Sequence, residues 1–210
     1  MKSVRSSALL NTGDRYGSVA IVLHWAMAVV LVLLLVMGTL MVGMPDVGYD
    51  RAKITWILVH KAVGVAALLA VALRLAWRAA NPLPQLAGGL PEWQRFLARF
   101  VHLCFYGLMV AIPVSGWLMS SAGGYPVTFL GLFDLPDLVP VNPKHFRTWI
   151  DVHRWLAYAL ALLALVHAAA ALRHHLLLRD DSLRRMLPGY GAAAASSTSP
   201  ATSASAAETA

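Results

Sequence analysis

Four long apolar runs separated by short polar breaks set the pattern of this chain. They cover Tyr16–Val42, Ile54–Trp77, about Phe100–Met119 and Trp149–His175. Each is long enough to cross a hydrocarbon core about 30 Å thick as a helix, which takes about 20 residues. The first is too long for a signal-peptide core and lacks a small-residue cleavage site, so it reads as a retained helix. The breaks carry turn chemistry: GMPDVGYDR after the first run and Asn81-Pro82-Leu83-Pro84 after the second. LPEWQRFLARF, just before the third run, reads as an amphipathic surface stretch, and Pro113 within that run predicts a kink. The loop Ser120–Thr148 holds Gly123-Gly124, four prolines and FLGLFDLPDLV. Its apolar residues are too interrupted to span, so it is expected at the interface or folded over the bundle. The pattern predicts an all-α integral membrane protein built as a four-transmembrane-helix bundle. Residues 1–15 form an N-terminal segment and 16–188 the membrane domain. The Ala/Ser/Thr-rich tail, 189–210, has nothing large to bury and is expected to be disordered.

Composition sharpens this. With 59% hydrophobic and 13% charged residues over 210 positions, an ordinary soluble domain is excluded. The net charge of +7 does not point to nucleic acid, because the basic residues sit between the apolar runs, where they orient a membrane protein. Eleven of them, Lys2, Arg5, Arg15, Arg74, Arg78, Arg95, Arg99, Arg173, Arg179, Arg184 and Arg185, fall on one side. Six, Arg51, Lys53, Lys61, Lys144, Arg147 and Arg154, fall on the other. The excess marks the cytoplasmic face and places both termini there. The lone cysteine, Cys104, excludes a disulfide framework and a cysteine-held zinc or iron–sulfur site within the chain.

The histidines carry the candidate chemistry. His153 and His167 are fourteen residues apart on the fourth run. At 100° and 1.5 Å per residue they share a face to within about 40° and stand about 21 Å apart. His24 lies about one-third along the first run, at the depth of His167, and His60 lies near the outer end of the second, at the depth of His153. An ionisable residue within a span is costly and points to function. Two depth-matched pairs suit two haems with bis-histidine ligation, since paired neutral imidazoles give low-spin iron fitted to electron transfer. Structural histidines, or a metal or proton path, remain the alternatives on spacing alone.

The motifs LHWAM, VHKAVG and VHRWLAYALALLALVHAAAALRHH, followed by DDSLRRMLPG, resemble the bacterial four-helix di-haem cytochrome b-561 family, related to the cytochrome b subunits of nickel–iron hydrogenases. SSAGGYPVTFLGLFDLPDLV adds to the likeness, which covers about residues 14–190. The resemblance implies two non-covalent b-type haems, one near each membrane face, on His24, His60, His153 and His167. It also implies a multi-pass protein of the bacterial inner membrane, and in some members oxidation of periplasmic superoxide with reduction of ubiquinone.

Other residues invite roles around those sites. Lys61 and Arg154 each follow an outer histidine directly, and Arg74 lies at the inner depth, so all three are candidate partners for haem propionates. Snorkelling at the interface is the plainer reading of the outer pair. Gly38, Gly64, Gly107 and Gly116 offer close approach, either for a macrocycle or for a neighbouring helix. His102, His174 and His175 sit on the inner side and are candidates to bond or protonate a quinone carbonyl, with interfacial anchoring as the alternative. Trp25, Trp56, Trp149 and Trp155 read as an aromatic belt.

The expected activity is therefore single-electron transfer from a periplasmic-side donor to the quinone pool, with superoxide:ubiquinone oxidoreduction the enzymatic form. A haem-bearing anchor subunit of a dehydrogenase or hydrogenase, fed by a docked redox protein, is the alternative. A haem-free proton or metal transporter is the third reading.

Overall fold

The computed structural model describes residues 9–13, 15–45, 50–84 and 91–187. Four helices dominate: α1 (Ser18–Gly43), α2 (Arg51–Ala80), α3 (Glu92–Ala122) and α4 (Pro143–Arg173). All four are long and apolar enough to cross a membrane, the fourth continuing to Leu178. Two have built starts. Asp50 accepts from the backbone N–H of Ala52 at 2.8 Å and of Lys53 at 3.4 Å, and Asn142 accepts from Lys144 at 3.0 Å and His145 at 3.3 Å. Pro143 follows Asn142 as the first helical residue, where its missing N–H is harmless. α3 stops at Gly123-Gly124, the second glycine at φ 71°.

The third helix starts earlier than expected. Glu92–Phe100, expected as a surface stretch ahead of the span, forms the first turns of α3, which continues through Pro113. Nothing between Glu92 and Pro113 breaks a helix. The backbone bond that a proline removes is tolerated in a membrane helix supported by its neighbours.

The outward faces stay apolar and exposed, as lipid-facing surfaces do; Val22 is 63% and Leu165 67% accessible. The packed core is small, centred on Met27, Val71 and Met109 where α1, α2 and α3 meet. Close helix seams join α1 to α2, α2 to α3 and α3 to α4. Among the described residues, no such seam joins α4 to α1 or α2.

Each end of the bundle carries extra structure. At one end, residues 127–135 form a hairpin of β1 (Val127–Phe129) and β2 (Phe133–Leu135), paired Val127↔Leu135 to Phe129↔Phe133. Three residues, Leu130, Gly131 and Leu132, connect the strands: the Leu132 N–H donates to the Phe129 carbonyl at 3.0 Å, and Leu130 at φ 52° and Gly131 at φ 73° make the tight turn between them. The hairpin is fastened to the helices by Lys61 Nζ donating to the Pro126 carbonyl at 3.2 Å and Trp117 Nε1 donating to that of Pro136 at 3.0 Å. The loop thus folds onto the bundle, while its tip residues Leu130 and Leu132 stay exposed.

At the terminal end, the segment before α1 folds back. Gly17 donates its N–H to Asn11 Oδ1 at 2.8 Å, and the chain passes so close that a Cβ on Gly17 would lie 2.2 Å from the Leu9 carbonyl. After α4, a π-helical turn (His174–Leu178), Arg179 at φ 55° and a 3-10 turn (Arg184–Met186) return the chain to α1, where Trp25 Nε1 donates to the Met186 carbonyl at 2.7 Å. The tail assigned to 189–210 lies outside the described residues, as do Lys2 and Arg5.

Candidate functional site

α4 presents His153 and His167 toward α2 and α1. The rings of His60 and His153 stand 6.3 Å apart between centroids with planes at 79°, and those of His24 and His167 stand 6.5 Å apart at 58°. Two imidazoles on opposite sides of one metal ion are separated by a calculable amount. A metal–nitrogen bond of about 2.0–2.1 Å and a ring radius of about 1.2 Å, for bonds near the C–N length, put the centroids about 6.5 Å apart. Both pairs match. They bridge α4 to α2 and to α1, helices to which no close backbone seam joins α4 among the described residues. No group of three or more His, Cys, Asp or Glu converges there among the described residues, so a metal held by either pair must bring its remaining ligands with it, as a porphyrin does.

The hairpin-end pair is oriented by α3. His153 Nδ1 lies 3.0 Å from the Ile112 carbonyl and 3.0 Å from Ser115 Oγ, and the Ser115 hydroxyl itself donates to the Ile112 carbonyl at 2.7 Å. Donation from Nδ1–H to that carbonyl fixes the tautomer and leaves the Nε2 lone pair free for a metal. Ser115 is 2% exposed, so this polar contact is sealed inside the bundle. Gly116 backs the same ring: a Cβ there would lie 3.2 Å from His153 Cε1. On the other side, Gly38 of α1 faces His60 with a Cβ position 3.7 Å from Cε1, and His60 Nδ1 is buried without a partner among the described residues. An orphaned buried nitrogen calls for a missing group.

The terminal-end pair has a different setting. Arg74 Nη2 donates to His24 Nδ1 at 3.2 Å and its Nε reaches Tyr106 Oη at 3.4 Å. His167 is packed edge-on by Phe105 at 5.3 Å and by His102 at 5.5 Å. His102 is held by its own Nδ1–H, which donates to the Ala98 carbonyl at 2.6 Å.

The remaining candidates are distributed unevenly. Lys61 turns to the hairpin, its ammonium 5.8 Å from the Tyr125 ring centre, and Arg154 pairs with Asp151 at 3.4 Å on an exposed face. Neither side chain contacts the His60/His153 rings in these interactions. His102 sits against His167, whereas His174 and His175 lie on the π turn beyond it. His174 Nδ1 meets Asp180 Oδ2 at 2.5 Å, and the Ser182 N–H donates to Asp180 Oδ1 at 2.9 Å. Burial raises the Asp180 carboxyl, but these bonds outweigh it and hold its pKa below the usual aspartate value. Sequence reasoning missed Ser115 and the Ile112 carbonyl; the proximity of Pro113, Ser115 and the flagged Gly116 was the available signal.

Comparison with known proteins follows this geometry. The family model described as prokaryotic cytochrome b561 matches residues 15–189. Cytochrome b561 homolog 2 of Escherichia coli K12 is 34% identical over 182 residues, covering 84% of this chain and 93% of the relative. Cytochrome b561 homolog 1 of the same organism is 26% identical, covering 83% and 98%. A protein of Yersinia pestis named probable superoxide oxidase CybB is 26% identical over 175 residues, covering 83% and 96%.

Proposed function

Because the chain belongs to the prokaryotic cytochrome b561 family, a family of bacterial membrane cytochromes with b-type haem, we propose that it holds two haems and transfers single electrons from a periplasmic donor to ubiquinone. The observation that carries this reading is the pair of ring separations, 6.3 and 6.5 Å, each matching one metal between two imidazoles. His60 and His153 hold one haem at the hairpin end, and His24 and His167 hold the other at the terminal end. The basic-residue count orients the hairpin end outward and both termini to the cytoplasm of an inner-membrane protein. When bound, the haems supply reversible one-electron chemistry at iron.

The chain's own residues orient the ligands and meet the charges. The Ile112 carbonyl and Ser115 hold the His153 ring in the tautomer that offers Nε2. Of the three propionate candidates, Arg74 is already beside a ligand, whereas Lys61 and Arg154 are engaged with Pro126 and Asp151. Of the three quinone candidates, His102 is taken up by His167 and Ala98. In its imidazolium form His174, whose Nδ1–H donates to Asp180, would donate from Nε2–H to a quinone carbonyl and deliver that proton, with His175 beside it on the same turn. Superoxide is the donor suggested by the name of the Yersinia relative, and the outer cations Arg51, Lys53, Lys144 and Arg147 would steer such an anion.

A haem-bearing anchor for a dehydrogenase or hydrogenase is the second reading, favoured by the exposed apolar hairpin tip, where Leu132 is 75% accessible on the donor side. The deciding experiment adds superoxide to purified oxidised protein, with and without a ubiquinone analogue, while the haem absorption is followed. Reduction by superoxide and reoxidation by the quinone are expected. A haem-loaded but inert protein would assign the chain to the anchor role, and a pyridine haemochrome assay finding no haem would end both readings.

The ring planes give a spectroscopic expectation. Ligand planes near perpendicular leave two iron d orbitals almost degenerate. The 79° pair is therefore expected to give the more anisotropic low-spin ferric EPR signal and the 58° pair the more rhombic one. Two identical signals would contradict it.

A further inference from the structure

A cavity of about 40 Å³ opens at the terminal end beside the His24/His167 pair. Its polar wall comes from Asn11 and Tyr16 ahead of α1, from Arg74, Trp77 and Arg78 on α2, and from Tyr106 on α3. Almost everything these residues present is a donor. Arginine and indole nitrogens donate only. Asn11 has already committed its oxygen to the Gly17 N–H, leaving its amide hydrogens. Burial raises the Tyr16 phenol above its ordinary pKa, so it keeps its proton. Trp77 Nε1 is buried with no partner among the described residues. Among the described residues, no acidic side chain lines the cavity, although two guanidiniums do. Partly buried cations and an orphaned N–H call for an anion with several acceptor lone pairs.

Size narrows the class. One water occupies about 30 Å³ in the liquid, whereas ligand sites for whole small molecules measure about 300–1,000 Å³. The cavity accepts a carboxylate head and excludes a quinone ring. Ligation chemistry supplies the link to His24. Arg74 donates to His24 Nδ1 in this structure, which requires a lone pair on that nitrogen. A neutral His24 giving its Nε2 lone pair to iron carries its proton on Nδ1 and no longer accepts there. Arg74 Nη2 then loses that acceptor and keeps only the Nε contact to Tyr106, and its side chain already lines the cavity where another acceptor can sit.

We propose that this cavity is a carboxylate seat for a propionate of the haem held by His24 and His167, with Trp77 and Arg78 as binding residues alongside Arg74. The proposal rests on the haem reading above. It also gives the two terminal segments a role, since Asn11, Tyr16 and Met186 close the cavity and Met186 is tied back to Trp25.

The test compares haem with its dimethyl ester, which lacks both carboxylates, by titrating haem-depleted His153→Ala protein, where only the terminal-end pair remains. The absorption spectrum reads the loading. The free acid is expected to bind roughly tenfold tighter or more than the ester, the ratio that a hydrogen bond to a charged group supplies. Trp77→Phe and Arg78→Gln are each expected to shrink that ratio while leaving ester binding unchanged. Circular dichroism confirms the helical fold, and Arg78→Gln serves if Trp77→Phe does not fold. Equal binding of acid and ester, or a ratio unmoved in both variants, would overturn the carboxylate seat and assign the cavity to a lipid phosphate or a free anion. No binding of either compound to folded protein would strike at the haem reading instead.

Discussion

Replacing His153 with alanine is expected to leave one haem per chain, and replacing His167 is expected to leave one as well, but a different one. The two ligands are fourteen residues apart on one helix, about 21 Å along its axis. Their supports are separate: Ile112 and Ser115 hold the first ring, and Phe105 and His102 pack the second. Sites so far apart with no shared partner respond independently. Each substitution should therefore halve the pyridine haemochrome yield, with His153→Ala keeping the more rhombic EPR signal and His167→Ala the more anisotropic one. Retention of both haems in either variant would sink the pairing of His60 with His153 and His24 with His167. Loss of both in each would show that the sites assemble as one unit.

The parts of this arrangement legible in the sequence are those set by helical periodicity. Span length, histidine depth and the shared face of His153 and His167 follow from 1.5 Å and 100° per residue, and the structure sets His60 beside His153 and His24 beside His167. The same arithmetic sets directions that adjacency does not. Lys61 and Arg154 stand next to histidines in sequence, but one step turns a side chain by about 100°, and here Lys61 meets the hairpin and Arg154 meets Asp151. The spacing sets Arg74 near the depth of His24; that the two touch depends on how α2 packs against α1, which no single-helix pattern encodes. His102 and Ser115 are similar cases, their roles set by which face of α3 meets α4. The strands were illegible for another reason: three-residue elements joined through a non-glycine residue at positive φ are made by the fastenings of their flanks to Lys61 and Trp117, more than by local preference.

Gly116 is where a single added carbon should do most damage away from the ligands themselves. A Cβ there would meet His153 at 3.2 Å from Cε1 and 3.4 Å from Nδ1, so the ring must move by a few tenths of an ångström to admit alanine. It has little freedom to do so, because Nδ1 is held 3.0 Å from the Ile112 carbonyl and Ser115 lies beside it. Gly116→Ala is expected to weaken haem retention at the hairpin end by about 10–100-fold, the usual consequence of disturbing a ligand's support, and to shift that site's EPR signal. Gly116→Val, whose branches point into the same ring, is expected to abolish binding there while leaving the His24/His167 haem in place. Gly38→Ala is the control, since its Cβ would stand 3.7 Å from His60 Cε1, an ordinary contact. A graded loss from glycine to alanine to valine at 116, against little change at 38, would mean that α3 holds the His153 ring in a fixed pose. Equal tolerance at both positions would mean that the ring is free to reorient and that the Ile112 carbonyl does not select its tautomer.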